Sequence, residues 1–342
     1  MFILSACCIS PQDTFEYNGL FPSASVLEKN RLRCIEPDYK TCIADATLRR
    51  RMSRTIKMGV AAALRCVERA KIKPDSIITA TGLGCLSDTE KFLDTLIDNE
   101  LQLNPTPFIQ STFNTVGAQI AFILGNHGYN NTYVHRGVSL ESALLDAKMQ
   151  TGEGVESVLA GCFDEITDTS FKIMHRLGFR TTLGEGASFF MLGSRPVENR
   201  PPIQISGVHF FTEPVNSVSA SSASLNCQIS NFLASMQKNI DNIDLLLLGN
   251  NGDTKGDEIY DHLIKSVFTN KPYCFFKNLC GEYSTASGFA LYLSFCILAM
   301  QNIPEGVTSH GNIPSIFTNV LIYNHYQKTN HSLILIELRI GN

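Results

Sequence analysis

None of the 11 cysteines stands in a Cys-x-x-Cys pair or at metal-ligand spacing from a histidine. That excludes a short zinc module and a small disulfide framework, and it predicts reduced, mostly buried thiols in a cytoplasmic protein. The eight histidines include no His-Glu-x-x-His pattern, and no P-loop is present. Gly82-Leu83-Gly84 lacks the third glycine and the spaced acid of a dinucleotide fingerprint. Charge is sparse too: charged residues are 18% of the chain and the net charge is -4, so no basic field draws in nucleic acid. The longest apolar run, Gly288 to Met300, is about 13 residues, short of the about 20 that a membrane-spanning helix needs. Leu4-Ser5-Ala6-Cys7 has the outline of a lipoprotein cleavage site, but it follows Met1-Phe2-Ile3 alone, without basic or apolar leader regions. Neither a signal peptide nor membrane insertion is expected, and Met1 to Ile9 reads as a buried strand.

Apolar residues make up 44% of 342, which supports a packed core and leaves room for two domains. Strand and helix patterns alternate. Arg50 to Lys71 has helical apolar spacing ended by Pro74, and Ser76 to Ala80 is a β-rich run. A helix from Asp88 to Asn99, with Asp88 as its cap, and a buried helix from Phe113 to Leu124 come next. Thr132 to His135, Ser157 to Cys162 and Ala187 to Gly193 read as strands, and Ser139 to Gln150 as a helix. Arg195 to Pro202 has linker composition, which divides the chain into residues 1–200 and a shorter half, 201–342. That second half repeats the plan, with strands at Ile203 to Phe210, Leu245 to Leu248, Val320 to Tyr323 and Leu333 to Glu337. Its helices are expected at Cys227 to Asn239, Asp257 to Phe268 and Tyr283 to Met300, with a loop at Ser217 to Ser224. Four consecutive leucines, Leu245 to Leu248, fit a strand buried on both faces. Two similar halves predict a layered α/β architecture.

Several landmarks occur in an order that resembles the β-ketoacyl synthase family of the thiolase fold. Thr81-Gly82-Leu83-Gly84 is similar to its strand-to-turn glycine motif, and Gly184-Glu185-Gly186-Ala187 to its GEGA turn. Ser111 to Asn114 with Gly117 to Ala121 resembles the helix beside its acyl pocket and dimer interface. Gly252, Gly256 and Asp257 resemble its HGTGTxxGD loop, and Lys277, Gly281 and Thr285 to Gly288 the segment around a catalytic histidine. The resemblance implies an α-β-α-β-α fold and acyl chemistry on a carrier protein, with neither a metal nor a bound organic cofactor.

Decarboxylative condensation needs a cysteine thiolate at a helix N-terminus, two histidines for the enolate and N–H groups for the oxyanion. Aligning Ser139 with the serine of the family's A-C-x-S turn places Gly137 at the nucleophile. Counting back from Gly256-Asp257 places Gly249 at the first histidine, with Asn250 and Asn251 after it. Counting from Lys277 places Glu282 at the second, where a carboxylate opposes a developing enolate. Tyr326 begins the segment corresponding to the family's gating loop, in which two glycines are replaced.

This pattern resembles a chain-length factor, the non-condensing partner of a Cys-bearing ketosynthase, of the kind associated with aryl-polyene or flexirubin-type products. The resemblance implies a heterodimer, an acyl carrier protein and an acyl chain as partners, with Leu83, Phe108 and Phe113 as wall residues unless they are ordinary core. Two other readings compete. One is an active acyl-thioester enzyme with relocated residues, such as Glu282 acting as a base; the other is a homodimeric acyl-binding scaffold. His135 and Arg136 are candidates to bind a carboxylate or thioester oxygen, or else to make structural bonds. Cys280 is either a surrogate thiol or a small buried residue. Ser139 lacks an identifiable base, and Glu141 and Asp146 read as helix-terminal and surface acids. Arg50, Arg51, Arg54 and Lys57 form a candidate docking patch for an acidic carrier, or a solvated face paired with Asp38 or Asp45.

Overall fold

The computed structural model describes residues 1–16, 27–28, 30–215 and 218–339. In β1 (Phe2–Ile9) side chains alternate between two environments: Ile3, Ala6 and Cys8 face the centre of the molecule, while Leu4, Cys7 and Ile9 face an outer layer. β1 joins β2 (Ser76–Ala80), β3 (Asn130–Tyr133), β4 (Ser157–Asp164) and β5 (Gly186–Gly193) in the order β3-β2-β4-β5-β1. The first two pairings are parallel and the last two antiparallel.

The second half has the same topology. β6 (Ile203–Thr212), β7 (Leu245–Leu248), β8 (Tyr273–Phe275), β9 (Asn319–Tyr326) and β10 (Asn330–Leu338) run in the order β8-β7-β9-β10-β6, again parallel, parallel, antiparallel, antiparallel. The halves meet where Phe2 pairs with Gln204, and the short strand Ser309–His310 completes an 11-stranded sheet. Leu245 to Leu248 are all fully buried, as a run without alternation requires.

Helices fill the layers. α1 (Arg54–Ala70) and α3 (Thr115–Leu124) cover the outer face of the first sheet, and α2 (Leu86–Asn99) lies between them in the chain. α4 (Ser139–Gly152) and α8 (Ser287–Met300) form the middle layer, whose apolar core draws on both sheets. α5 (Asp168–Arg176) is a more exposed helix, and α6 (Val218–Ser235) and α7 (Thr254–Ser266) cover the second sheet. The result is the expected α-β-α-β-α stack. Among the described residues, no helix is long and apolar enough to cross a membrane.

The local expectations need corrections. Arg50 to Lys71 is not one helix: extended backbone at Met52 (ψ 134°) separates a short helix, Ala46–Arg51, from α1. Asp88 lies inside α2 rather than at its cap. The helix expected from Phe113 begins at Thr115, and Phe122 on its outer side is exposed. α8 begins at Ser287, not Tyr283, because Tyr283 to Ala286 form a turn. Of the loop expected at Ser217 to Ser224, Ser217 lies outside the described residues and the rest belongs to α6.

Candidate functional site

The site forms where the two halves face each other across paired loops. Gly184 N–H donates to the Glu282 carbonyl at 3.0 Å, and Glu282 N–H donates to the Thr182 carbonyl at 2.9 Å. Glycine is required at this crossing: a Cβ on Gly184 would meet Gly281 Cα at 2.7 Å, while Gly281 itself has a φ of +79°. Next to it, fully buried Glu185 accepts from both terminal nitrogens of Arg54, at 2.7 and 2.6 Å, and from Cys34 N–H at 3.1 Å. Arg54 also donates to Glu36 at 2.5 Å. Arg54 therefore clamps the loop and is not available for docking. Arg50 and Arg51 are exposed and Lys57 half-buried, while Asp38 and Asp45 cap short helices through backbone N–H groups instead of pairing with the arginines.

A second hub ties the halves together. The Asp164 carboxylate accepts from Thr81 Oγ1 (3.0 Å), Gly82 N (2.8 Å), Thr285 N (3.0 Å) and Thr285 Oγ1 (2.7 Å). Neighbouring Glu165 accepts from Ser87 N at 3.0 Å, and burial pushes its pKa up to about 7.

Gly137 lies in a helical turn, Arg136–Val138, that leads into α4. Arg136 holds a φ of +53°, which is strained for a non-glycine residue. The space where a side chain at 137 would stand is filled by Tyr326: a Cβ there would meet the tyrosine Cδ1 at 2.8 Å, with its Cβ closer still. Ser139 Oγ donates to backbone carbonyls of Thr81 or Arg136, at 2.9 and 2.8 Å, and accepts from His135 N–H, so its role is to hold the turn. His135 and Arg136 are both exposed; the His135 Nδ1 bonds Ser142 Oγ at 2.9 Å.

At the end of β7, a Cβ on Gly249 would meet Tyr260 OH at 2.7 Å and Lys277 Cε at 3.2 Å. Lys277 is buried, and its Nζ donates to Glu282 Oε2 at 2.7 Å and to the His325 carbonyl at 3.1 Å. Asn251 Nδ2 donates to the same Glu282 oxygen at 2.5 Å. Glu282 Oε1 is buried without a partner. The loop after Asn250, itself buried with an unpartnered Oδ1, is fixed by Asp257, which accepts from Asn251 N at 3.1 Å and Gly252 N at 3.0 Å. Cys280 is fully buried, and burial raises its thiol well above the usual range, which leaves it unreactive.

Three cavities surround this cluster. One of about 340 Å³ is lined by Thr181, Asn251, Asp253, Glu282, His325 and Lys328, among others. A second, of about 440 Å³, shares Asn251 and adds Asn250, Lys277 and Thr182. The third is only about 50 Å³ and has Leu83, Asp164, Glu165, Glu282 and Tyr326 in its wall. Of the candidate wall residues, Leu83 therefore reaches the site. Phe108 and Phe113 are half exposed on the surface, where Phe108 packs 5.1 Å from Phe92 and Phe113 covers Gly84.

The segment after Tyr326, where two glycines of the family's gating loop are replaced, is a left-handed turn. Gln327 and Lys328 both adopt a φ of +55°, and Thr329 N–H donates to the Tyr326 carbonyl at 3.2 Å. Non-glycine residues here keep the backbone of a tight hairpin turn with two left-handed central residues. His325 helps to hold it: its Nε2 donates to the Gly256 carbonyl at 3.0 Å, while Nδ1 faces Lys328 N–H at 3.4 Å. Sequence reasoning also missed Glu141 and Asp146. Both are buried; Asp146 accepts from Tyr129 and Tyr133 hydroxyls at 3.0 and 3.2 Å, and burial raises the Glu141 carboxyl. Among the described residues, no group of three or more His, Cys, Asp or Glu is placed to hold a metal.

His325 and His331 set an acid limit on the fold. Burial holds both below 6.5, and nearby Lys277 lowers His325 further. The unfolded chain takes up protons that the fold refuses, so their stabilisation is complete above pH 6.5 and is lost as the pH falls below it toward the folded values. Glu165, raised to about 7, takes up its proton in the folded state over the same window and opposes this loss. The urea midpoint of the native chain should therefore fall more, or rise less, between pH 6.5 and 5.5 than that of a His331→Gln variant; equal changes in the two would contradict a neutral His331.

Residues 34–183 match the family described as beta-ketoacyl synthase, N-terminal domain. Nothing among curated protein sequences matches the chain. The fold is similar to that of the ishigamide ketosynthase/chain length factor (TM-score 0.76, 14% identity, 99% of each chain covered). It is also similar to AntDE:AntF, a type II polyketide synthase acyl-carrier protein in complex with its ketosynthase (TM-score 0.75, 13% identity, 99% of each chain covered). A third similar structure is the ketosynthase ApeO in complex with its chain length factor ApeC from Xenorhabdus doucetiae (TM-score 0.74, 14% identity, covering 99% of this chain and 98% of that one). The chain thus has the ketosynthase fold along its length, with a beta-ketoacyl synthase N-terminal domain match over residues 34–183.

Proposed function

We propose that the chain is a non-condensing subunit that pairs with a Cys-bearing ketosynthase and acts as the chain-length factor of the pair. The observation that carries this reading is Tyr326 in the room of the nucleophile's side chain at Gly137. The other two positions agree with it. No imidazole fits at Gly249, and Glu282 offers a carboxylate already paired with Lys277. Glu282 is thereby held as an ion-pair partner, which disfavours the reading of a free general base.

A partner is also consistent with the surface. β3 is an edge strand whose outer side has no neighbour among the described residues, and Phe108, Phe113 and Phe122 are exposed. An open edge beside exposed aromatics is a liability that pairing with a second subunit removes. The similar solved structures named as ketosynthase/chain length factor pairs favour a heterodimer. In this reading the pair works in the cytoplasm on chains carried by an acyl carrier protein, for polyketide or polyene synthesis, and Leu83 borders the space that limits chain length.

The test is reconstitution. The chain alone should release no carbon dioxide from malonyl thioester, whereas the chain with its ketosynthase and carrier protein should elongate acyl groups. Turnover by the chain alone would overturn the proposal.

A further inference from the structure

A further cavity, of about 320 Å³, shares no lining residue with the three around Glu282. It lies between β1, the linker that joins the two halves, and α8. Leu4 and Ala6, Pro201, and Phe295 and Cys296 supply its apolar walls. Its charged residues are Arg69, in the last turn of α1, and Arg200 of the linker, both half-buried. No Asp or Glu lines it.

The edge of β1 explains why two arginines stand there. β1 pairs with β6 at Phe2, and Leu4 is skipped in the register between β1 and β5. Carbonyls that a neighbouring strand would engage go to side chains instead. Arg200 Nη1 donates to the Leu4 carbonyl at 2.6 Å, and Arg69 Nη1 to the Ala6 carbonyl at 3.0 Å. Arg200 Nη2 donates to the Arg69 carbonyl at 2.9 Å, and Arg69 Nη2 to the Phe15 carbonyl at 2.6 Å. Among the described residues each guanidinium thus uses two N–H donors, on neutral acceptors, and has others to give. Arg69 reaches one carboxylate, Glu16 at 3.7 Å, which Arg65 bonds more closely. Arg200 pairs with no carboxylate among the described residues.

We propose that this cavity binds a small amphiphilic carboxylate, its head group on Arg69 and Arg200 and its short apolar chain on Leu4, Pro201 and Phe295. The two cations are anchored two residues apart on one strand and have no acid in the cavity, so the site selects an anion. A carboxylate accepts from the guanidinium N–H groups that the carbonyls leave free. The apolar walls select a chain behind the head group. Ligand sites begin at about 300 Å³, so a cavity of about 320 Å³ suits a short chain and excludes a macromolecular segment of any length. The site stands apart from Gly137, Gly249 and Glu282, and the inference does not depend on the function proposed above.

The chain contains no tryptophan, so Phe295→Trp places a single fluorescent reporter in the cavity wall. Titration of the full chain with octanoate should change its emission saturably. Octanol, the same chain without the charge, and acetate or inorganic phosphate, charge without the chain, should each bind about tenfold or more weakly. In the same background Arg200→Gln should weaken octanoate about tenfold or more. Arg200 also holds β1, so Cys296→Leu serves as a second variant: it keeps both guanidiniums, fills apolar space and should lower the affinity as well. Urea unfolding shows which variants are folded, and where Arg200→Gln is not, Cys296→Leu decides. No response to octanoate would overturn the proposal. Octanol binding as tightly as octanoate would remove the arginines from recognition, and acetate or phosphate binding as tightly would leave a plain anion site; either result overturns it. Unchanged octanoate affinity in a folded Arg200→Gln, or in Cys296→Leu, would put the ligand elsewhere and overturn it too.

Discussion

Gly137→Cys should give a less stable protein with no condensing activity. The new Cβ and Sγ must enter space held by Tyr326, whose backbone lies at the end of β9 next to the Gln327–Lys328 turn. Relief by rotating the tyrosine is limited, because the overlap begins at its Cβ. Overpacking of this kind costs about 1–3 kcal/mol. The added thiol also finds no imidazole, since Gly249 has no room for one and Glu282 occupies the other position. Thermal unfolding and carbon dioxide release from malonyl thioester check the two halves of the expectation. An undestabilised variant would mean that Tyr326 does not fill the site. Decarboxylation by it would mean that the assignments of Gly249 and Glu282 are wrong.

Breaking the Lys277–Glu282 pair should have a larger effect on stability. The Lys277 ammonium is buried, with Glu282 and the His325 carbonyl as acceptors. Glu282→Leu leaves that cation without its counter-charge, and Lys277→Met leaves the carboxylate with Asn251 alone. Loss of one member of a buried pair costs about 3–5 kcal/mol, whereas replacing both with apolar groups of similar size is often close to neutral. The double variant Lys277→Met/Glu282→Leu should therefore be more stable than either single variant. Urea unfolding of the four proteins gives the cycle directly. Additive losses would show that the two side chains do not act as a pair.

Much of the fold was legible because burial leaves a periodic trace. Leu245 to Leu248 and the apolar run Met1 to Ile9 announced their strands, and the repeat of the two halves followed from the order of strand and helix patterns. The positions of Gly137, Gly249 and Glu282 came from counting between landmarks, and the structure brings Tyr326, Glu282 and Lys277 around one cluster of cavities. What sequence did not reveal was set by contacts between distant segments. Arg54 and Glu185 are 131 residues apart, and nothing local marks them as a pair. Glu141 has the sequence context of an exposed helical acid, yet it is packed inside the middle layer. Gln327 and Lys328 look incompatible with a glycine-type turn; the β9–β10 pairing and His325 impose the left-handed conformation despite their side chains. Met52 interrupts a helical pattern that continues through it, because tertiary packing decides at that point and propensity does not.

The most direct test of the account is the native mass of the complex purified through this chain from its own cell, combined with its elongation activity. The account predicts a one-to-one complex with a Cys-bearing ketosynthase that elongates carrier-bound chains, with activity abolished by changing the partner's cysteine alone. A homodimer of this chain that elongates by itself would contradict it.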